Sequence, residues 1–439
     1  MSFTKRIAWQ DPLLLLKKVL VNYQENLVFL YSALWQQVAN SRSFLALFPQ
    51  EKIILENFAS LDKIFTNNQK TWFGYFAYEN ISALEKISFC HNRQSILGQL
   101  QSPAVFLQNF GLVLEFNHSK KILIAKSQNQ QYLDFILSLT PNDVYCDIFP
   151  KGDIFPKGDI FPKAQNISSN FTDEQYLQAI VDIKQKIQAG DLFQTNLTRK
   201  FYGSLDFAIN HHFAFNLFAK LMQTSPANYA SFAVFDETFV VSASPELFLQ
   251  ANGKNILTQP IKGTIASKKN KKSDLEQQKI LQNSSKDKAE NLMITDLMRN
   301  DLAKVCVANS VQVPKLFELQ SYKNLHHLVS SITGKLAHKN SYIKLLQACF
   351  PPGSMTGAPK LEAIKVAHQY EQQHRGIYSG CLGFIGKKQL NLAVVIRTLL
   401  LQKNQFEFQA GGGITYASDP KQELLEVEIK SSALKNLLS

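Results

Sequence analysis

Two pairs of carboxylates, Asp287 with Glu290 and Glu423 with Glu426, are each spaced three residues apart within helical stretches, so each pair shares one helix face. Two such faces brought together could hold a cation. Magnesium commonly takes one or two carboxylates and leaves its other positions to water and substrate oxygens. Helix by helix, the same residues read as solvated faces, with Glu426 and Lys430 an ordinary i,i+4 pair and Asp287 beside Lys288; spacing alone favours that reading. The run Gln409-Ala-Gly-Gly-Gly413 strips side chains from Gly411, Gly412 and Gly413 shortly before a helix. It is expected to be a Gly-rich turn, either letting backbone amides approach an anion or simply tight. Pro351 to Pro359, which contains Ser354, is expected to be a second such turn ahead of a helical stretch. Lys262 and Arg397 lie inside or just after apolar strand runs, where an unpaired charge is costly, so each needs an anionic partner or an internal salt bridge. His326 and His327 precede another apolar run, and adjacent strand residues face opposite sides: one is free for chemistry while the other packs or is solvated.

The elements that must position these residues follow from periodicity and punctuation. Thr172-Asp-Glu-Gln175 is a capping box, followed by Tyr176, Ile180, Ile183 and Ile187 at helical spacing, which predicts a helix ending near Gly190. A strand is expected from Leu192 to Phe201, a hairpin over residues 230–242 turning at Asp236-Glu237, and a strand from Ile256 to Ile261. Helices are expected from about Asp287 to Ala303 and from Asp419-Pro420 onward, where Asp suits the N-cap and Pro the first helical position. Before them, residues 1–146 mix short apolar runs with turns, including Ala104 to Leu107, Gly111 to Phe116 and Ile122 to Ala125, and read as antiparallel strands. Residues 147–165 hold a hexapeptide repeat, Asp-Ile-Phe-Pro-Lys-Gly, whose Pro and Gly content reads as a surface linker ahead of residues 166–439.

Length and composition bound the function classes. A chain of 439 residues with 45% hydrophobic content buries a large core. The five cysteines are scattered without CxxC spacing, so no disulfide framework or zinc site is expected. Neither a signal peptide nor a membrane-spanning stretch is recognisable, and a reducing cytoplasm is the expected location. The formal charge of +12 comes from dispersed lysines with no recognition module, so neither nucleic acid nor a membrane is an expected partner.

From about residue 172 onward, a series of ordered motifs resembles the chorismate-utilising family of anthranilate synthase and aminodeoxychorismate synthase large subunits, isochorismate synthases and salicylate synthases. The motifs include Ser244-Pro-Glu246, Pro260-Ile-Lys-Gly-Thr264, Lys288-Ala-Glu-Asn-Leu-Met-Ile294, Arg299-Asn-Asp-Leu302, His326-His-Leu-Val-Ser330, Gly357-Ala-Pro-Lys360, Arg375-Gly-Ile-Tyr378 and Ile396-Arg-Thr398. The resemblance implies an α+β fold of two large, mostly antiparallel sheets packed face to face with helices outside, the N- and C-terminal parts interleaved. It also implies Glu290 and Glu426 as magnesium ligands supported by Asp287 and Glu423, Glu246 as general acid and His327 as the active-site histidine. Ser354, Tyr378, Arg397, Gly411, Gly412, Gly413 and Lys430 would contact chorismate. Looser similarity places Ser32, in Phe29-Leu-Tyr-Ser-Ala33, and Phe73 to Tyr78 in a tryptophan pocket; Tyr31 stands where relatives usually carry an acidic residue, which leaves tryptophan binding open.

Two positions separate the reactions within the family. Gln194 replaces the lysine that serves as base for water in isochorismate and salicylate synthases, and Lys262 stands where anthranilate synthases usually have alanine. The resemblance therefore implies amination of chorismate at C4, with Lys262 as a covalent nucleophile. Ammonia would come from a separate glutamine amidotransferase subunit, since no Gly-x-Cys-x-Gly glutaminase motif is present. An anthranilate synthase large subunit and a non-catalytic chorismate-binding module are the alternatives.

Overall fold

The computed structural model describes residues 3–34, 41–65, 69–85, 100–139, 164, 166–268, 270–322 and 325–438. The hexapeptide repeat lies outside them, and of the expected linker 147–165 only Ala164 is described. The fold is α+β, and every strand pairing in it is antiparallel. The two faces expected as separate sheets form one hydrogen-bonded network that branches at the long strand Val105–Asn117. Residues 105–109 of that strand pair with Trp72–Phe76, and residues 112–117 pair with Ile122–Ser127. The apolar runs at Ala104 to Leu107 and Gly111 to Phe116 are therefore halves of one strand.

One wing runs from this branch through Arg42–Leu55, Leu27–Tyr31, the hairpin Tyr229–Phe235 and Thr238–Ser244, Thr398–Gln402 and Gln405–Thr415 to Gln194–Ser204. The other runs from Trp72–Phe76 through Cys381–Ile385, Gln389–Val394, Leu247–Asn252 and Asn255–Gln259 to Leu325–Lys335. In both wings a strand from before the linker thus pairs directly with one from after it, Leu27–Tyr31 with Tyr229–Phe235 and Trp72–Phe76 with Cys381–Ile385. The wings face each other across an aromatic layer, in which Phe44 meets Phe384 at 5.1 Å and Tyr75 meets Phe235 at 5.3 Å between ring centroids. Helices cover the outer faces, each against its own apolar cluster. No helix among the described residues is long and apolar enough to cross a membrane.

Local signals act where the sequence places them. Thr172 and Gln175 close a reciprocal capping box on the helix Asp173–Ala189, which ends at Gly190 in the left-handed region, φ +89°. Asp236, φ +53°, turns the hairpin. Asp419 accepts a hydrogen bond from the Gln422 amide ahead of the helix Pro420–Leu438. The glycine run departs from expectation. Gly411, Gly412 and Gly413 are not a turn; they lie inside the strand Gln405–Thr415, opposite Thr198, Leu197 and Asn196.

One buried ion pair ties these layers together. Arg375 is 2% exposed and Glu371 6%. The guanidinium donates to both Glu371 oxygens, at 2.7 and 2.9 Å, to the Asn196 carbonyl at 2.7 Å and to the Met355 carbonyl at 2.8 Å. Glu371 also accepts from the Thr198 amide at 2.9 Å. Removing one partner of such a pair strands a buried charge, which costs about 3–5 kcal/mol. Glu371→Gln is therefore expected to lower the free energy of urea unfolding by about 3 kcal/mol or more; a loss below about 1 kcal/mol, the range of a surface pair, would contradict the assignment.

Candidate active site

The strands Ile261–Ala266, Leu325–Lys335 and Gln405–Thr415, the helices Ser285–Ala303 and Pro420–Leu438, and the turn Gly353–Met355 bring their ionisable side chains together at one site. Its floor is the glycine run. A Cβ on Gly413 would collide with Gln194 Nε2 and lie 3.3 Å from Lys262 Nζ, and one on Gly412 would lie 2.8 Å from Glu423 Oε2 and 3.9 Å from Glu426 Oε1. Absent side chains at these positions thus let an amine and two carboxylates reach the sheet. Lys262 is aimed by its neighbour: Gly263 is in the left-handed region, φ +82°, and packs against Asp287, leaving no room for a Cβ.

The carboxylates expected to cooperate are brought together from their two helices. Glu423 accepts from Ser418 Oγ at 2.7 Å and from Lys286 Nζ at 3.1 Å, and Glu290 lies 4.0 Å from the same Nζ. Lys430 pairs with Glu426 at 2.5 Å and also donates to the Gly411 carbonyl at 2.9 Å, so the ordinary i,i+4 pair exists and is seated on the cavity floor. Burial pushes the Glu290 carboxyl above its ordinary range, opposed by Lys262 and Lys286 and reinforced by Glu423 and Asp287. Burial pushes Glu426 upward too, but Lys430, Lys286 and Lys262 outweigh it and hold Glu426 below the usual value. Hard oxygen donors crowded by like charge suit a dication. As they stand, no three acidic, His or Cys side chains among the described residues converge on a single point.

The opposite end of the cavity is drier. Glu246, 4% exposed, sits at the junction of Thr238–Ser244 and Leu247–Asn252. Burial pushes its carboxyl up to about 7, against the lowering influence of Ser354, Lys262, the Ile261 amide and Arg397. Ser354 Oγ points at this carboxyl without closing a well-formed hydrogen bond. Burial, with Arg397 nearby, pushes His327 down to about 3, so its ring is neutral; Nδ1 meets Thr264 Oγ1 at 2.8 Å. His326, on the opposite face, is held by Ser321 and Asp274 at 2.8 and 2.9 Å and serves the structure. Arg397 adopts a left-handed backbone, φ +49°. Burial lowers its affinity for a proton, and Glu246 opposes this. Among the described residues neither Arg397 nor Lys262 takes part in an ion pair. Tyr378 is buried beside Arg375, and burial raises its hydroxyl well above the ordinary range.

Ser32 is placed elsewhere, in the strand layer near the N-terminus. Its amide donates to Ser43 Oγ, which meets His118 Nε2 at 2.7 Å, while Tyr31 stacks on Phe29 at 5.2 Å. The sequence reading gave no site role to several residues that shape the cavity. Gln194 Oε1 and Asn196 Nδ2 are buried without a hydrogen-bond partner, as is Ser354 Oγ, and buried polar atoms of this kind normally meet a ligand or water. Thr264 and Arg375, quoted only within motifs, and Lys286 and Glu371 were likewise given no role. The available signals were Gln194-Thr-Asn196, read only as a subfamily mark, and the Glu371 to Arg375 spacing.

The family described as chorismate binding enzyme matches residues 21–436. Aminodeoxychorismate synthase component 1 of Escherichia coli (strain K12) is 37% identical over 259 residues, covering 59% of this chain and 56% of that protein. Anthranilate synthase component 1 of Saccharolobus solfataricus is 36% identical over 264 residues, covering 60% of this chain and 62% of that protein. The chain thus matches less than two thirds of the length of either relative. The crystal structure of anthranilate synthase component I from Streptococcus pneumoniae shares the fold, with a TM-score of 0.74 at 23% identity over 91% of this chain and 93% of that one. Because the match spans nearly the whole sequence, the chain belongs to the chorismate binding enzyme family.

Proposed function

We propose that the chain is the chorismate-converting component of an aminodeoxychorismate synthase. In this reading it replaces the C4 hydroxyl of chorismate with ammonia, which a separate amidotransferase subunit releases from glutamine, on the route to 4-aminobenzoate and folate. The observation that carries this reading is the Lys262 amine, which stands against the glycine floor and makes no ion pair among the described residues. Relatives of both activities are equally similar, so the subfamily rests on this side chain rather than on overall identity. An anthranilate synthase is the second reading, and the presence of Lys262 disfavours it.

Each residue has a role in this chemistry. Lys262 Nζ, once deprotonated, attacks ring C2; the double bonds shift and the C4 hydroxyl departs with a proton from Glu246. Ammonia then adds at C4, the double bonds shift back, and the C2–N bond to Lys262 breaks. Nucleophilic catalysis thus divides one difficult displacement into two easier steps. Arg397 and Tyr378 hold the enolpyruvyl side, Ser354 and the Gly411 to Gly413 backbone border the substrate, and His327 lines the ring as a neutral partner. Glu290 and Glu426, supported by Asp287 and Glu423, would hold magnesium, which when bound anchors the ring carboxylate. Lys430 adds a positive charge on the same side.

Incubation with chorismate, magnesium and an ammonium salt is expected to give aminodeoxychorismate by mass spectrometry, with Lys262→Ala reducing the rate at least about 100-fold. Anthranilate as product, or a fully active Lys262→Ala variant, would refute the reading. A second test uses pH. Glu246 must carry its proton when the hydroxyl leaves, and its protonated fraction falls as pH rises through about 7. The free Lys262 amine grows with pH in both the unmodified protein and Glu246→Gln, so it cancels in the ratio of their kcat/KM values, which is expected to fall about tenfold per pH unit above about 7. Glu246→Gln should also lose most of the activity; a ratio constant from about pH 6 to about pH 9 would exclude Glu246 as the acid.

A further inference from the structure

Lys286 is the residue of the carboxylate cluster that the proposed reaction does not use. It lies in the first turn of the helix Ser285–Ala303, where the helix dipole opposes a cation. Its position is nevertheless maintained by carboxylates on two helices: Nζ is 3.1 Å from Glu423 Oε1 and 4.0 Å from Glu290 Oε1. Glu423 is buried, with a side chain only 2% exposed, whereas the Lys286 side chain is 45% exposed. The fixed partner is therefore the carboxylate, and the lysine is free to leave into solvent. Among the other acids of the group, Glu426 is paired with Lys430.

We infer that Lys286 is a built-in counter-ion that occupies the space between Glu290 and Glu423 until a divalent cation displaces it. This rests on reading the carboxylates as the magnesium site. A dication bridging the two helices must approach the same oxygens, and an ammonium within 4.0 Å of both carboxylates repels it and blocks its path. Glu290 and Glu423 turn toward the Lys286 ammonium and Glu426 toward Lys430, and as they stand no three acidic side chains among the described residues converge on a common centre. Without that charge, carboxylates on the two helices would repel one another across the cavity wall. The device keeps the metal-free site intact and makes cation binding weaker than the carboxylates alone would give.

The test is magnesium binding to the full chain by isothermal titration calorimetry, without substrate. Lys286→Met keeps the length of the side chain and removes its charge, and Lys286→Arg keeps the charge. The methionine variant is expected to bind magnesium roughly fivefold more tightly than the unmodified protein, near the low end of ordinary coupling because the lysine is half exposed. The arginine variant is expected to bind no more tightly than the unmodified protein. Unchanged or weaker binding by Lys286→Met, with magnesium still bound by the unmodified protein, would overturn the counter-ion role and leave the metal site standing. No magnesium binding by any of the three proteins would instead remove the metal site itself, and the inference with it. A melting temperature of the metal-free Lys286→Met variant below that of the unmodified protein is the companion result expected from unscreened carboxylates.

Discussion

The bidentate contact between Glu371 and Arg375 cross-braces segments that come to the site from distant parts of the chain. A guanidinium has five N–H donors and no way to lose its charge, so burying it demands acceptors on every side. Here those acceptors are Glu371, the Asn196 carbonyl in one wall of the cavity and the Met355 carbonyl in the turn that carries Ser354. From the other direction, the Arg375 carbonyl accepts from Gln409, just ahead of the glycine floor, and its amide donates to Glu79 in the N-terminal half. Asn196, Ser354, Tyr378 and the Gly411 to Gly413 strand are therefore referred to one fixed point. A catalytic cavity assembled from distant parts of a chain depends on such a reference, because errors of about 1 Å are enough to cost activity.

Around that fixed point the cavity separates two electrostatic regimes. At one end burial penalises the ionic forms of Glu246 and His327, pushing the Glu246 carboxyl up to about 7 and His327 down to about 3, and Arg397 has no ion-pair partner among the described residues. At the other end, lysines face carboxylates from two helices. Lys262 lies between, influencing Glu246 on one side and Glu290 and Glu426 on the other. An anionic ligand with a ring between two polar ends suits this arrangement: its charged groups would complete Arg397 and any cation held by the carboxylates, and its ring would lie beside the amine.

How much of this was legible in the sequence depended on how local the cause was. The capping box at Thr172, the Asp236 turn and the Asp419 cap are short-range, and each appears where its residues indicate. The paired carboxylates were also visible from helical spacing, although their meeting was not. Gly411 to Gly413 misled because glycine usually marks a turn; here glycine is required by Gln194, Lys262 and Glu423, which approach from remote segments, and no local pattern records their approach. The same holds for Lys286, whose partner Glu423 belongs to another helix. The two expected antiparallel layers do face each other; their joining through one long strand, Val105–Asn117, which changes partner along its length, is a long-range feature no local pattern records.

The central physical claim is that one amine reaches the substrate ring inside this cavity. A crystal structure of the full chain with chorismate and magnesium measures that directly. The Lys262 nitrogen should lie about 3–3.5 Å from ring carbon C2, the separation of a reactive pair. A nitrogen turned out of the cavity into solvent, with the ring in place, would contradict the proposed chemistry and leave only membership of the family.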